Sequence, residues 1–197
     1  MNPGFETGDF TGWTTTVGPV GAGELIPWTV ASNGGWFSSA TPLSGNYSAF
    51  NGFDGDAGLV YELYQDVVIP NVGSVTLTTN HRIVYDSLGI PSTLPRVLEI
   101  SVRDTSNAVL QPLLTQSITM TSPTVDTGWL NNVFDLSSFA GSTVRIHFLE
   151  LIPESSTGPA NIQFDDITLD AVPEPGGAGL VALGLCVAGL VRRRRSS

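Results

Sequence analysis

In the stretch RVLEISVRD, Val97, Glu99, Ser101 and Arg103 alternate with Leu98, Ile100 and Val102. A period of two sends the first set to one face of an extended strand and the second set to the other. STVRIHFLE repeats the pattern, with Val144, Ile146 and Phe148 inward and Arg145 and His147 toward solvent. LVYELYQDVVI gathers Leu59, Tyr61, Leu63, Val67 and Ile69 on one side, and VTLTTNHRIVY does the same with Val75, Leu77, Ile83 and Tyr85. Turn-rich segments such as NGFDGDAG, SLGIPSTLP and ESSTGPAN separate these runs. With shorter pieces near 25–31, 47–51 and 114–121, the total is about nine strands. A 3.6-residue apolar period is missing outside the C-terminal tail. The pattern predicts an all-β fold, a two-sheet antiparallel sandwich over residues 1–170.

Charge narrows the partners. Before Gly176 there are 18 acidic residues against four arginines, and lysine is absent throughout. Such a surface repels phosphate backbones, which excludes nucleic acid as a partner of the body. It is compatible with divalent cations, with neutral polysaccharides, or simply with solubility. The single cysteine, Cys186, lies in the tail, so no disulfide can staple the body, and core packing or metal must hold it.

The chain ends VPEPGGAGLVALGLCVAGLVRRRRSS. Residues 171–175 form a proline-blocked, extended linker containing Pro173, Glu174 and Pro175. Residues 176–191 carry no charge. As a helix they would span about 24 Å, slightly less than a hydrocarbon core of about 30 Å. Arg192, Arg193, Arg194 and Arg195 stop the span, and the positive-inside rule keeps residues 192–197 in the cytoplasm with the body outside. A transmembrane helix is therefore expected, because no core would accommodate four adjacent arginines.

This order of Pro-Glu-Pro, short apolar span and arginine cluster resembles the PEP-CTERM sorting signal. The same tail also goes under the name ice-binding-protein C-terminal domain, which here implies no antifreeze activity. The resemblance covers residues 172–197 and implies processing by exosortase, in bacteria that make exopolysaccharide. The body would then be a membrane-anchored precursor that ends in the envelope or outside the cell. The opening MNPGFETGDF has no basic start and no apolar core of a secretory signal. A start placed too far downstream, or a truncated chain, would account for that.

Three body segments, NPGFETGDFTGW, TGWLNNVFDLSSFAGSTVRIHF and NIQFDDITL, resemble the jelly-roll, galactose-binding-like superfamily that includes many carbohydrate-binding modules. The resemblance implies that the Asn-Pro-Gly-Phe-Glu segment and the last strand's Asp-Asp lie side by side. It also implies a structural Ca²⁺ there, held by Glu6 with Asp165 and Asp166. Ile162 and Phe164 are apolar on even positions whereas Ile167 and Leu169 are apolar on odd ones. Parity thus breaks at the two aspartates, so one carboxylate faces inward or a bulge intervenes. A cation would offset a buried carboxylate, and a solvated edge pair is the alternative. Asn51, Asp54 and Asp56 lack the frame of a calcium loop and read as a turn.

Glycan binding needs exposed aromatic rings. Trp28, Trp36, Phe37 and Tyr47 are the candidates for a platform, whereas Trp13 and Trp129 belong in the core by the same resemblance. His81 falls on the apolar face of its strand as a core histidine. No HExxH, GxSxG, CxxC or phosphate loop is present. The leading expectation is a secreted, non-enzymatic envelope or matrix sandwich associated with exopolysaccharide. The alternative is a carbohydrate-binding module with an aromatic platform, and a glycoside-active enzyme comes third.

Overall fold

The structure is a computed structural model that describes residues 2–19, 23, 26–33, 41–90, 92–155 and 157–173. Glu174, Pro175, the apolar span 176–191 and the arginines 192–195 lie outside the described residues, as do Trp36 and Phe37.

The described residues form eleven strands: β1 Thr14–Gly18, β2 Thr29–Ala31, β3 Ser48–Asn51, β4 Leu59–Val68, β5 Ser74–Tyr85, β6 Arg96–Arg103, β7 Val109–Ile118, β8 Val125–Asp126, β9 Leu130–Asp135, β10 Thr143–Ile152 and β11 Ala160–Val172. One 3-10 turn spans Ser137–Phe139. A five-stranded sheet runs β1-β4-β10-β6-β7, and a six-stranded sheet runs β2-β3-β11-β5-β8, with β9 also on β5. All pairings are antiparallel. The sandwich is therefore as the alternation predicted, and its last strand runs two residues past the expected boundary at 170.

The dry faces close on one another. Leu59, Tyr61, Leu63 and Val67 from β4 and Val144, Ile146 and Phe148 from β10 meet Val75, Leu77 and Ile83 from β5 and Ile162 and Phe164 from β11 in one core. The Phe148 and Phe164 rings cross the gap edge to face, with centroids 5.0 Å apart. Each such buried side chain contributes about 1.5–3 kcal/mol relative to exposure. His81 is 1% exposed in this core. Its Nε2 meets Gln116 Oε1 at 2.8 Å across the two sheets, and its Nδ1 meets Asn132 Nδ2 at 3.3 Å. Burial depresses its pKa, so it stays a neutral, satisfied core histidine as expected.

Local chemistry sets the turns. Asp104 Oδ1 accepts the amides of Ser106 and Ala108, both at 2.9 Å, and Asn107 takes a positive φ of 76° between them. Asn tolerates that conformation better than most side chains. The parity break in β11 appears as both predicted devices. The register shifts between Asp165 and Thr168, Asp166 has φ 46°, and Asp165 is fully buried.

Candidate functional site

Alternation makes one face of the five-stranded sheet face away from the core. At its centre β10 presents Arg145 and His147, β4 presents Glu62, Tyr64 and Asp66, and β6 presents Ser101 and Arg103. The register sets His147 between Tyr64 and Ser101, and Arg145 between Asp66 and Arg103. Neighbours on one face of a sheet lie within side-chain reach, and here they interlock. The Tyr64 ring stacks on the His147 imidazole with centroids 5.8 Å apart and planes 14° apart. The Arg145 guanidinium sits 4.0 Å from the Tyr64 ring centroid. Its Nε and Nη2 donate to the two oxygens of Asp66 at 2.7 and 3.1 Å. Glu62 Oε1 meets His147 Nε2 at 3.1 Å, while Glu62 Oε2 accepts from Thr16 Oγ1 at 2.6 Å.

His147 departs from expectation. It occupies the outer face as predicted, yet it is 0% exposed. Tyr64, Arg103 and Arg145 are long enough to roof it, and periodicity alone cannot reveal such a roof. Burial and then the nearby Arg103 cation push its pKa down to about 4, against the pull of Glu62. The imidazole is accordingly neutral at pH 7. Its partner is the Glu62 carboxylate, and those of His81 are amides. Neither histidine forms a nucleophile–base pair with Ser, Thr or Cys among the described residues.

The acidic edge forms where the resemblance placed it. Ile167 N donates to Pro3 O at 2.8 Å, which ties the N-terminal segment to the last strand. Gly4 suits this close approach: a Cβ there would sit 3.3 Å from both Asp165 Oδ1 and Asp166 Oδ1, so the carboxylates would have to shift slightly. Glu6 is turned elsewhere. Its carboxylate accepts the amides of Asn46 and Tyr47 at 2.9–3.0 Å, and these bonds hold its pKa below the ordinary value. Asp165 Oδ2 accepts from Leu43 N and Ser44 N at 2.8 and 3.2 Å, and Oδ1 accepts from Asp166 N at 2.8 Å. Burial nevertheless lifts Asp165 to about 6. Asp166 Oδ1 accepts from Ser44 Oγ at 2.9 Å. The three acids thus clamp the 43–47 loop. Among the described residues no group of three carboxylate, His or Cys side chains converges as a metal centre. The buried Asp165 carboxylate accepts from three N–H donors, which sequence periodicity could not show.

Trp28 does not stand free. It packs against the core with ring centroids 6.0 Å from Phe164, 6.1 Å from Phe10 and 6.3 Å from Tyr61. It immediately precedes β2 and is partly buried against the core, where apolar burial is favourable. Tyr47 is half-buried, its ring 3.7–4.0 Å from where a Cβ on Gly8 would stand. Of the four platform candidates, the two that are described are each half-buried against neighbouring residues. Trp13 is 6% exposed and in the core as expected. The NGFDGDAG turn is structural: Asp54 Oδ1 accepts from Arg96 Nη2 at 2.9 Å, Asp56 Oδ2 from Gly23 N at 2.7 Å.

A second polar group is sealed between the sheets. Glu150 points inward from β10, fully buried, and its Oε2 accepts from Asn51 Nδ2 at 2.8 Å. Burial drives its carboxyl well above the usual range. Arg96, 1% exposed, donates to Glu154, Phe53 O, Asp54 and Gly158 O at 2.6–3.1 Å. These groups hold the loops at one end of the sandwich.

The fold is that of an antiparallel β-sandwich of the kind used by carbohydrate-binding modules and adhesin domains. TmCBM61 in complex with β-1,4-galactotriose is similar at 18% identity and a TM-score of 0.50, over 87% of this chain and 96% of that one. The K3 cleaved adhesin domain of Lys-gingipain from Porphyromonas gingivalis W83 is similar at 17% identity and a TM-score of 0.55, over 87% and 98%. The enzymatically active domain of bacteriophage CBA120 tailspike protein 4 matches at 11% identity and a TM-score of 0.52, over 87% of this chain but 21% of that one. At these identities the likeness is one of fold. No protein-family model and no curated protein sequence matches the chain.

Proposed function

We propose that this protein is a non-catalytic carbohydrate-binding β-sandwich of the cell envelope or extracellular matrix. The observation that carries the reading is the outer face of the five-stranded sheet. There Tyr64, Glu62, Ser101 and Arg145 form a polar, aromatic-bearing field on rigid strands. Sugars are held by hydrogen-bonding groups fixed beside aromatic rings, and strands fix them better than loops do. The similarity in fold to a galactotriose-binding module favours this reading over a purely structural matrix role. Affinity electrophoresis through gels containing plant and bacterial polysaccharides tests it. Retardation by at least one glycan, weakened about tenfold by Tyr64→Ala, is the expected result, and unchanged migration in every gel refutes it.

The delivery part of the reading rests on the sequence. Pro173, Glu174 and Pro175, the apolar span 176–191 and Arg192–Arg195 act as an exosortase-read anchor that places the body outside the cytoplasm. Mass spectrometry of the mature protein should find a C-terminus near 173–175, and a mature chain that retains Arg192–Arg195 refutes processing.

Calcium enters the same reading as a structural ion at the Asp165–Asp166 edge. In its support, two carboxylate oxygens converge beside Gly4, and neither aspartate has an ion pair with an arginine or histidine among the described residues. Such hard oxygen donors suit Ca²⁺, with Glu6 joining only by leaving the 46–47 amides.

A further inference from the structure

Four arginines lie among the described residues, and three are neutralised: Arg82 by Asp126, Arg96 by Asp54 and Glu154, and Arg145 by Asp66. Arg103 is the exception. It is 8% exposed and closes β6 on the outer face, at the end of its ladder with β10. Its Nε donates to Ser101 Oγ at 3.1 Å, and among the described residues its terminal nitrogens bond to no other, yet they are not sealed from solvent. Directly across the register stands Arg145, and like charges placed opposite one another on a sheet repel. Beneath it is His147, fully buried, whose Nδ1 has no partner. A buried cation without a counter-charge is costly, as is an unpaired buried nitrogen. In a body this acidic a carboxylate could readily have been supplied, as it is for the other three arginines.

We propose that Arg103 is the seat for the carboxylate of an acidic sugar, so that the outer face binds uronate-containing polysaccharide. This rests on the glycan-binding reading and specifies its substrate class. The two free terminal nitrogens of a guanidinium match the two oxygens of one carboxylate, a geometry that a lone hydroxyl cannot satisfy. Arg145 is locked onto Asp66, so it borders the seat without competing for the ligand. Ser101 borders it with a hydroxyl group, 3.1 Å from Arg103 Nε. The overall negative charge opposes an acidic polymer at long range, but that repulsion is screened beyond about 8 Å at physiological salt. The contact at a mostly buried guanidinium is screened far less, so binding survives physiological salt.

The test is isothermal titration of the full-length chain with galacturonate, glucuronate-containing and mannuronate oligomers, each against its methyl ester, which removes only the charge. At least one free acid should bind ten times more tightly than its ester, and Arg103→Gln should abolish the difference. Equal affinity for acid and ester across the panel, or an unchanged preference in Arg103→Gln, overturns the proposal while any neutral-glycan binding leaves the broader reading standing. No binding to acidic or neutral glycans overturns both. Equal binding of a polyglutamate peptide overturns it in favour of a protein partner. A readout on the unaltered protein guards against misfolding of the variant: the His147 ring followed by NMR. His147 faces Glu62 and Tyr64 from β4, Ser101 and Arg103 from β6, and Arg145 on its own strand. A carboxylate on Arg103 cancels the cation that acts most strongly on the ring and raises its titration midpoint, and a midpoint unmoved at saturation overturns the proposal.

Discussion

Glu150→Gln isolates the charge sealed between the two sheets. The carboxyl is fully buried, Asn51 Nδ2 supplies its one hydrogen bond, and Oε1 has no partner. Its pKa in the folded state is well above the ordinary carboxylate value. The folded protein therefore keeps a proton that the unfolded chain has released. Stability is full below the unfolded pKa and falls as pH rises toward the folded one, by about 1.4 kcal/mol per pH unit. Glutamine keeps the acceptor for Asn51 and cannot ionise, so the variant escapes that loss. For a chain of this size 1 kcal/mol corresponds to about 2–4 °C in Tm, so the variant should gain about 3–6 °C over the parent for each pH unit. Asp54 and Asp165, each raised to about 6 by burial, give the parent a slope of the same sign between about 4 and 6, but both proteins share it. Thermal melts from pH 4 to 8 should show near-equal stabilities at the acid end and a difference that widens with pH. A constant difference, or one that favours the parent at high pH, would refute a neutral Glu150.

Arg96→Met strands Asp54 and Glu154 in the interior and should cost about 3–5 kcal/mol in urea unfolding, with partial recovery when Asp54→Asn and Glu154→Gln are added. Phe164→Ala opens a cavity beside Phe148, Trp28 and His81 and should cost about 3–5 kcal/mol by the same assay. Glu6→Ala releases the Asn46 and Tyr47 amides, so their hydrogen exchange should accelerate while the core strands stay protected. Added Ca²⁺ should raise the parent's melting temperature and EDTA should reverse the rise; a melt indifferent to both removes calcium from the acidic edge.

Strands β4, β5, β6 and β10 were legible because their apolar residues keep a strict period of two, which only an extended chain can bury on one side. Strand β1, with TTTVG, and β9, with LNNVFD, give no such signal. They are edge pieces whose partners, β4 and β5, determine them. The bulge in β11 was legible, since a parity switch at Asp165–Asp166 cannot be reconciled with a regular strand. What the two carboxylates touch was not, because the Leu43 and Ser44 amides lie more than 120 residues away in the chain. Arg103 and His147 show the deeper limit. Alternation assigned both to the outer face correctly, but it is silent on whether side chains cover one another there. The pair was missed as a site for that reason.

Strand β11 lies between β3 and β5 although it is the last of the described strands. Synthesis therefore delivers both flanks of this sheet before the strand that joins them, and the β2–β3 edge gains its place in the larger sheet only once residues 160–172 dock.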